Sequence, residues 1–600
     1  MPLTIEQRQE QVRQAEEILF RPDESIGFAR ALFFGHFQAE AVFPYPRLDP
    51  EEAQVLASLL DGVRRFAEEE IDPFAIDREA DIPRKVIRGL GQLGILGMTV
   101  PRAYGGLGLS QKAYSRVMEI IGARDASVAV FINAHHSIGL RGIVLAGSEA
   151  QKQHWLPRLC RGEALAAFAL TEPEAGSDAA NVQTSATPTE DGQHYVVNGE
   201  KRYITNGAIA DVLTVMARTP VPGKETTQVT AFLVTPDMPG FEVVEARMPK
   251  CGIRGTATAR LRFRNMRVPA ANLLGELGKG LKLALSVIDY GRTTFGASCT
   301  GAAKVCVRAA TQHARTRKQF GQTLGEFEMV KEKLAWMAAH SLAMEAMTFH
   351  CAHLIDTGAP DYMVETAMLK VFASEALWRI VNDTIQIFGG QAYFSNEPYE
   401  RMMRDARINL IGEGANDVLR AFIALVGIRN VGLSLKGVLD ALYRPWGQLG
   451  TLWRFGRRQI RQYLWAPAVP VRSGALQAEA SDLGRRVQEF GRAVEAVLRR
   501  YREETLERQY VQKRLADAAI DLYASACVLS RLDALLTEAS SQPPAQHDHM
   551  LSIGRYFLRL ASRRIGTRLA QLWDNEDQKA TQVADALQAA NVSTLFDPGS

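Results

Sequence analysis

The sequence predicts a mainly α-helical protein with one central antiparallel β domain and a further helical domain at its carboxy-terminal end. Three changes of texture carry this reading. Over residues 51–166 apolar side chains recur at helical spacing, as in Val55, Leu56, Leu59, Leu60 and Val63. Over 167–278 the pattern becomes short alternating runs between turn residues, and from 279 long helical stretches return with few prolines. The last of these, 432–600, is set apart by its arginine content.

Residues 1–50 precede the first domain as an extension. Within 51–166, Pro83 suits the first turn of a helix, where a missing N–H costs nothing. Gly89-Leu90-Gly91-Gln92-Leu93-Gly94 matches a dinucleotide fingerprint, but that motif must follow a strand and open a helix. Here it follows a helix and reads as a helix end. The β domain offers Tyr195–Val197, an Asn198-Gly199 turn, Arg202–Thr205, an Asn206-Gly207 turn, Val212–Met216, Ala231–Val234 and the alternating Arg260-Leu261-Arg262-Phe263-Arg264. Residues 279–431 read as a bundle of roughly 20- to 30-residue helices.

Composition narrows the function. With 600 residues, 46% hydrophobic, and a formal charge of +3, the chain has no global charge that calls for nucleic acid. Cys160, Cys251, Cys299, Cys306, Cys351 and Cys527 form no C-x-x-C pair, so neither a metal site nor a disulfide framework is expected and they read as reduced core thiols. The first residues carry Glu6, Glu10, Glu16 and Glu17, which argues against a secretory or transit segment and for the cytoplasm. No uncharged apolar run reaches roughly 18 residues, so no transmembrane helix is expected.

The stretch Arg404 to Asp417 holds the candidate base. Glu413 lies between Gly412 and Gly414 beside an apolar segment, which lets a flat ligand approach the backbone and raises the carboxylate's proton affinity. The same residues also suit a helix-ending turn with a solvated Glu. Phe168-Ala169-Leu170-Thr171-Glu172-Pro173-Glu174-Ala175-Gly176-Ser177-Asp178 ends a strand in hydroxyls and a small-residue loop, a source of donors for a polar ligand. Further on stand Tyr203-Ile204-Thr205-Asn206-Gly207, Arg317-Lys318-Gln319-Phe320-Gly321 and Gln386-Ile387-Phe388-Gly389-Gly390.

In this order the five segments resemble the acyl-CoA dehydrogenases, flavoenzymes that desaturate acyl-CoA thioesters between the α and β carbons. The resemblance spans about residues 51–426 and implies an α domain, a β domain and a four-helix bundle at a homodimer core. It implies that Glu413 abstracts the α proton while the β hydrogen leaves as hydride to FAD. Phe168, Leu170, Thr171, Gly176 and Ser177 match the first flavin loop, and Tyr203, Ile204 and Thr205 the second. Arg317, Gln319 and Phe320 match a group reaching across the dimer to FAD, with Gln386 and Gly390 as further contacts and Asp417 near its adenosine side. Asp289 and Arg292 match positions near the pantetheine and the site's mouth, where Ser177 would also serve. Being three apart on a helix, Asp289 and Arg292 also suit a plain ion pair.

Both ends of the chain are similar to the very-long-chain members. Phe28 to Pro46 matches the segment before their catalytic core, and Gln512 to Tyr523 matches their extra carboxy-terminal domain. A long or very-long acyl-CoA is thus the expected substrate, with electron-transfer flavoprotein as the redox partner. Ala129 and Asn133, four apart on one helix face, match the floor of the acyl-tail pocket: Ala129 leaves room, while Asn133 is polar for a fully apolar tunnel. His135 and His136 have no partnering carboxylate in sequence and read as packing or surface histidines.

Residues 441–478 contain no acidic residue but Arg444, Arg454, Arg457, Arg458, Arg461 and Arg472, interleaved with Trp446, Trp453, Trp465, Phe455, Tyr443 and Tyr463. Arginine beside tryptophan suits a helix lying on anionic lipid, at the inner face of the cell membrane. A solvated bundle face is the plainer reading, and no nucleic-acid motif accompanies the patch. Several positions leave the family pattern: Tyr203 replaces a Trp, Gly412 a bulky aromatic, Ala415 a Thr, and Gln391-Ala392 an Asn-Gly or Met-Gly. Gly412 and Gly414 therefore enter as substrate-side positions. The expected function is FAD-dependent acyl-CoA dehydrogenation; the alternatives are a scaffold or assembly protein on the same fold, or an acyl-CoA oxidase.

Overall fold

The structure is a computed structural model that describes residues 26–443, 465–537 and 544–590. Helix α1 (Phe28–Phe33) is wholly buried. Its Phe33 meets Phe490 at a ring separation of 5.0 Å, and Phe28 lies 6.1 Å from Tyr523, so the extension is part of the core shared with the carboxy-terminal region. Helix α2 (Pro50–Glu70) starts where Asp49 accepts the Glu51 and Glu52 N–H groups and Pro50 fills the first turn. Pro83 caps rather than enters the helix Arg84–Gln92, and Gly94, at φ +74°, ends it in the left-handed conformation. Helix α3 (Gln111–Arg124) leads to α4 (Ala126–Ile132), whose first turn is capped by Asp125 on the Val128 N–H at 2.8 Å. A π-helical turn, Asn133–Gly139, follows directly. Residues 126–146 are apolar enough to cross a membrane by composition, but 78% of that window is buried inside the protein.

The sheet comprises β1 (Ala166–Ala169), β2 (Ser185–Pro188), β3 (His194–Thr205), β4 (Val212–Thr219), β5 (Gln228–Val234), β6 (Phe241–Glu245), β7 (Thr258–Pro269) and β8 (Leu273–Leu274). Its order is β6-β7-β3-β2-β4-β5-β8, with β1 beside β4. Pairing is antiparallel except that β1 and β2 run parallel to β4. Successive residues of β4 and β5 point to opposite faces: Met216 and Ala231 pack with Leu140 and Ala284, whereas Val215 and Phe232 pack with Val197 and Leu261. The expected Asn198-Gly199 turn is absent. β3 runs through it with a register shift, because Gly199 at φ +154° passes so close to Thr184 that a Cβ would lie 2.7 Å from the Thr184 Cα. Asn198 accepts the Asn265 N–H across the bulge at 2.7 Å.

The bundle is α5 (Gly280–Thr316), α6 (Glu328–Asp356), α7 (Met363–Phe388) and α8 (Asn416–Tyr443). At 37 residues α5 exceeds the expected length, and α8 continues unbroken across the expected boundary at 431/432. Helices α9 (Gln477–Tyr501), α10 (Gln509–Thr537) and α11 (Pro544–Ala570) share one core with the bundle. Of the arginine-rich segment, residues 444–464 lie outside the described residues, and with them Arg444, Trp446, Trp453, Arg454, Phe455, Arg457, Arg458, Arg461 and Tyr463. Trp465 is exposed, but Arg472 is tied to Asp533 at 3.1 Å, an internal ion pair and not a free lipid-facing charge. Five cysteines are buried; Cys251 is exposed, contrary to the reading of all six as core thiols.

The loop bearing Cys251 is wedged among three domains. Arg404 grips Asp77 with both terminal nitrogens (2.9 and 2.7 Å) and the Cys251 carbonyl (3.1 Å), while Asp405 accepts the Ile253 N–H at 2.5 Å. Burial pushes the Asp405 carboxyl up to about 7 from 3.8, with Asp125 adding to it and the Ile253 N–H and Arg401 opposing. A folded-state value above the unfolded one means that the group's stabilising contribution is full below 3.8 and is lost as pH rises through about 7. Asp405→Asn keeps the acceptor and removes the titration. The melting temperature of the wild type is therefore expected to fall relative to this variant as pH rises across that window, and a constant difference would contradict the assignment.

Candidate active site

Glu413 sits in the short link between the turn Ile408–Leu410 and α8. It holds φ +60° and Gly414 follows at φ +97°. A glutamate rarely adopts this conformation unless its surroundings impose it. Here they do. The Arg292 Nε donates to the Glu413 carbonyl at 3.3 Å, and the Lys370 Nζ donates to the Gly414 carbonyl at 2.6 Å and to the Asn416 side chain at 2.8 Å. Asn416 is held in turn by Ser374 and Glu375.

The reversed backbone sends the carboxylate back toward α5 and the π-helical turn. Asn133 Nδ2 donates to Glu413 Oε1 at 3.3 Å, and the Glu413 oxygens lie 3.1 and 3.3 Å from where a Cβ on Gly291 would stand. Burial raises the proton affinity of Glu413, opposed by Arg292, Lys370 and the Asn133 bond. A carboxylate placed in this way binds a proton more readily than a solvated one. Gly291 is thus the space into which the carboxylate fits. Gly291→Ala is expected to displace it, reducing kcat by roughly 10-fold or more while leaving cofactor content unchanged; unaltered turnover would show the space is not needed.

Asp289 and Arg292 form the ion pair their spacing allowed, at 3.2 Å and both buried, with Thr366 donating to Asp289 at 2.7 Å. Burial lifts Asp289 to about 6. At 1% exposure Asp289 does not line a mouth; it supports Arg292, which holds the Glu413 carbonyl. Asn133 contacts Glu413, with Ala129 one turn earlier in the core of the amino-terminal domain. Gly412 has room for a side chain, a notional Cβ meeting only the Ile408 carbonyl, at an ordinary contact distance of 3.7 Å. His135 and His136 are packing residues: His135 bonds the Leu159 carbonyl and the Ala166 N–H, and His136 meets Thr99. Burial drops His135 to about 4. Among the described residues no cluster could hold a metal ion.

The π-helical turn and the helix before it also tie the neighbourhood of Glu413 to the β domain. Ala166 of β1 bonds His135, and Asn206, just past β3, donates to the Phe131 carbonyl at 3.2 Å. Within β1 Phe168 is half-buried; beyond it Leu170 is buried, Thr171 is half-buried, and Gly176 and Ser177 are exposed, with nothing within 4 Å of a notional Gly176 Cβ. The Arg202 N–H donates to the Thr171 carbonyl at 2.9 Å, which sets the two expected flavin segments side by side. A second register shift between Lys201 and Ile204 turns Tyr203 outward at φ +62° and 56% exposed, with Ile204 buried and Thr205 half-buried. The ledge is braced from below by a fully buried pair: Lys201 donates to Glu172 at 2.7 Å and to the Leu170 carbonyl at 3.0 Å.

A second group lies at the end of the bundle. Arg317, Gln319 and Phe320 are exposed on the hairpin formed by Lys318–Gln319 and Gln322–Thr323, with Phe320 95% exposed at its tip. His313, in the last turn of α5 before this hairpin, stacks on Phe388 at 4.1 Å near the end of α7, where Gln386 and Gly390 are exposed. Asp417 is exposed at the start of α8. Hydroxyls, amides, one guanidinium and an outward aromatic face suit a flat redox ring carrying a pyrophosphate. Sequence reasoning missed Gly291, Lys370 and the Lys201–Glu172 pair. Lys370 carried a signal, a lone lysine at a core position of an apolar helix.

A carboxylate of raised proton affinity and an exposed ledge of this kind suit removal of a proton next to a redox cofactor. Residues 54–163, 167–266 and 278–427 match the N-terminal, middle and C-terminal domains of acyl-CoA dehydrogenase, and 474–593 match the ACAD9/ACADV C-terminal domain. The chain is 40% identical to the very long-chain specific acyl-CoA dehydrogenase, mitochondrial, of Homo sapiens over 88% of this chain and 82% of that protein. It is 32% identical to the probable acyl-CoA dehydrogenase FadE10 of Mycobacterium tuberculosis over 93% of this chain and 88% of that one. Its fold matches an acyl-CoA dehydrogenase complexed with FAD from Bacillus anthracis with a TM-score of 0.75 at 28% identity, covering 92% of this chain and 94% of that chain. The chain belongs to the acyl-CoA dehydrogenase family.

Proposed function

We propose that this acyl-CoA dehydrogenase converts long- or very-long-chain acyl-CoA to the trans-2-enoyl-CoA, with Glu413 as the base. The observation that carries this is the Glu413 carboxylate, raised in proton affinity by burial and aimed by Asn133 and the Gly291 space. FAD is the cofactor and, when bound, accepts the hydrogen lost from the β carbon. Thr171, Ser177, Tyr203 and Thr205 would hold the ring end; Arg317, Gln319, Phe320, Gln386, Gly390 and Asp417 would hold the remainder. The Glu413 N–H would stabilise the charge developing on the thioester oxygen as the α proton moves to Glu413.

The long-chain reading is supported by the 40% identity to a protein named as very long-chain specific and by the matched carboxy-terminal domain. The room at Gly412 supports a bulky substrate. The exposed Phe320 supports a homodimer in which the hairpin completes a partner's site. Electron-transfer flavoprotein is the proposed acceptor, and the proposed location is the cytoplasm, peripheral at the inner face of the cell membrane. The Arg- and Trp-rich composition of residues 441–478 supports that placement.

Anaerobic addition of acyl-CoA of increasing chain length tests the reading: bleaching of the flavin band should be fastest with long chains. Fast bleaching by butyryl-CoA alone would overturn the chain length. No bleaching by any chain length would favour a scaffold protein on the same fold, and peroxide formation in air an oxidase.

A further inference from the structure

Lys370 stands beside Glu413 and takes no direct part in moving the α proton. Its side chain is buried in α7, where neighbouring residues on the same helix, Leu369, Val371 and Ala373, are core hydrophobics. A buried ammonium is costly unless it is paired. Here it touches two neutral oxygens, the Gly414 carbonyl at 2.6 Å and the Asn416 Oδ1 at 2.8 Å, and among the described residues it forms no direct ion pair. An uncharged donor would satisfy those oxygens more cheaply, so the charge itself needs an explanation.

The geometry supplies one. Glu413 and Gly414 are two successive left-handed residues, and each carbonyl is bound by a different buried cation: Arg292 on Glu413 and Lys370 on Gly414. Both cations thereby stand behind the peptide that carries the carboxylate. Arg292, however, is already committed to Asp289, which offsets its charge. Lys370 has no such direct partner, and the groups whose charge reaches it are Glu413, Arg292, Cys299 and Glu375. Glu375 is engaged bidentately by Arg420 at 2.7 and 2.8 Å, so of the two carboxylates that Lys370 reaches, Glu413 is the one not held in such a pair among the described residues. Those acting on Glu413 are Arg292, Lys370 and the Asn133 amide.

We propose that Lys370 is a positioning residue for proton abstraction: it fixes the left-handed Glu413–Gly414 turn and supplies the uncompensated positive charge that keeps the carboxylate ionised before substrate binds. The proposal rests on Glu413 being the base. It places on α7, far from the base in sequence, a residue that tunes the reaction without touching substrate.

The test compares Lys370→Gln, which retains a hydrogen-bond donor for the turn without the charge, with Lys370→Arg, which retains the charge. For the holoenzyme, Lys370→Gln is expected to keep its flavin and its KM for palmitoyl-CoA within a factor of about two. Its kcat should fall roughly 10-fold, and the acid limb of its pH profile should move up by about one unit as Glu413 becomes easier to protonate. Lys370→Arg should restore the position of that limb. A Lys370→Gln enzyme with an unmoved acid limb would overturn the proposal, whatever its melting temperature. Should either variant fail to fold, Asn416→Ala serves: it strips one of the two neutral ligands from the ammonium, leaves its charge, and should leave the acid limb unmoved. A shifted limb there would overturn the proposal too. Full activity in Glu413→Gln would instead remove the base assignment itself, an outcome separate from either of these.

Discussion

Glu413→Gln is expected to retain FAD and to bind acyl-CoA while losing turnover by at least about 10³-fold, a large loss for one proton-transfer group. The amide is nearly isosteric, can still receive the Asn133 bond and occupies the same space beside Gly291. It cannot take the α proton. Binding is read from the flavin spectrum on addition of palmitoyl-CoA, and turnover from reduction of an artificial acceptor. Activity within tenfold of the wild type would mean that another carboxyl is the base. The nearest alternative with raised proton affinity, Asp289, is 1% exposed and bonded to both Arg292 and Thr366, so it offers no route for a substrate proton.

The periodicities read from the sequence translate into the observed helices and strands because each face meets a different core. β4 and β5 alternate between two such cores, and the bundle helices carry apolar residues on nearly every side because α9 to α11 cover what would otherwise face solvent. Local rules failed where a neighbour decided the geometry. Asn198-Gly199 has the residues of a tight turn, yet Thr184 and Asn265 hold it flat within β3. Glu413 stands out because two glycines bracket it in sequence, but that bracket equally suits a turn, and it is the resemblance that singles it out as the candidate base. Its supports were not legible in this way: Gly291, Lys370 and Asn133 come from three other segments, and only folding brings them to one carboxylate. Asp289 shows the limit in the other direction, since its spacing from Arg292 suited both an ion pair and a ligand contact, and burial decides for the ion pair.

The same logic extends from the base to the ledge that would carry the cofactor. Gly176 and Ser177 are exposed and make little contact of their own, so the loop's position depends on what lies beneath it. That is Glu172, which accepts the Gln183 and Thr184 N–H groups at 2.5 and 3.0 Å and the Lys201 ammonium at 2.7 Å. Lys201 also binds the carbonyl of Leu170, the residue before Thr171, and is wholly buried. Removing one partner of a buried pair strands the other charge, at a cost of about 3–5 kcal/mol. Lys201→Met is accordingly expected to destabilise the protein by about that amount and to lose flavin on gel filtration, because the strand end that presents Thr171 is no longer pinned. Adding Glu172→Gln to Lys201→Met removes the stranded charge but keeps an acceptor for only one of the two N–H groups, which bind different carboxylate oxygens, so the double variant should recover part, and not all, of the lost stability. The two measurements separate two effects: recovered stability without recovered flavin retention would mean that the ammonium's bond to Leu170, and not the ion pair, positions the ledge. If the single variant melts like the wild type and holds its flavin, the pair does not brace the site.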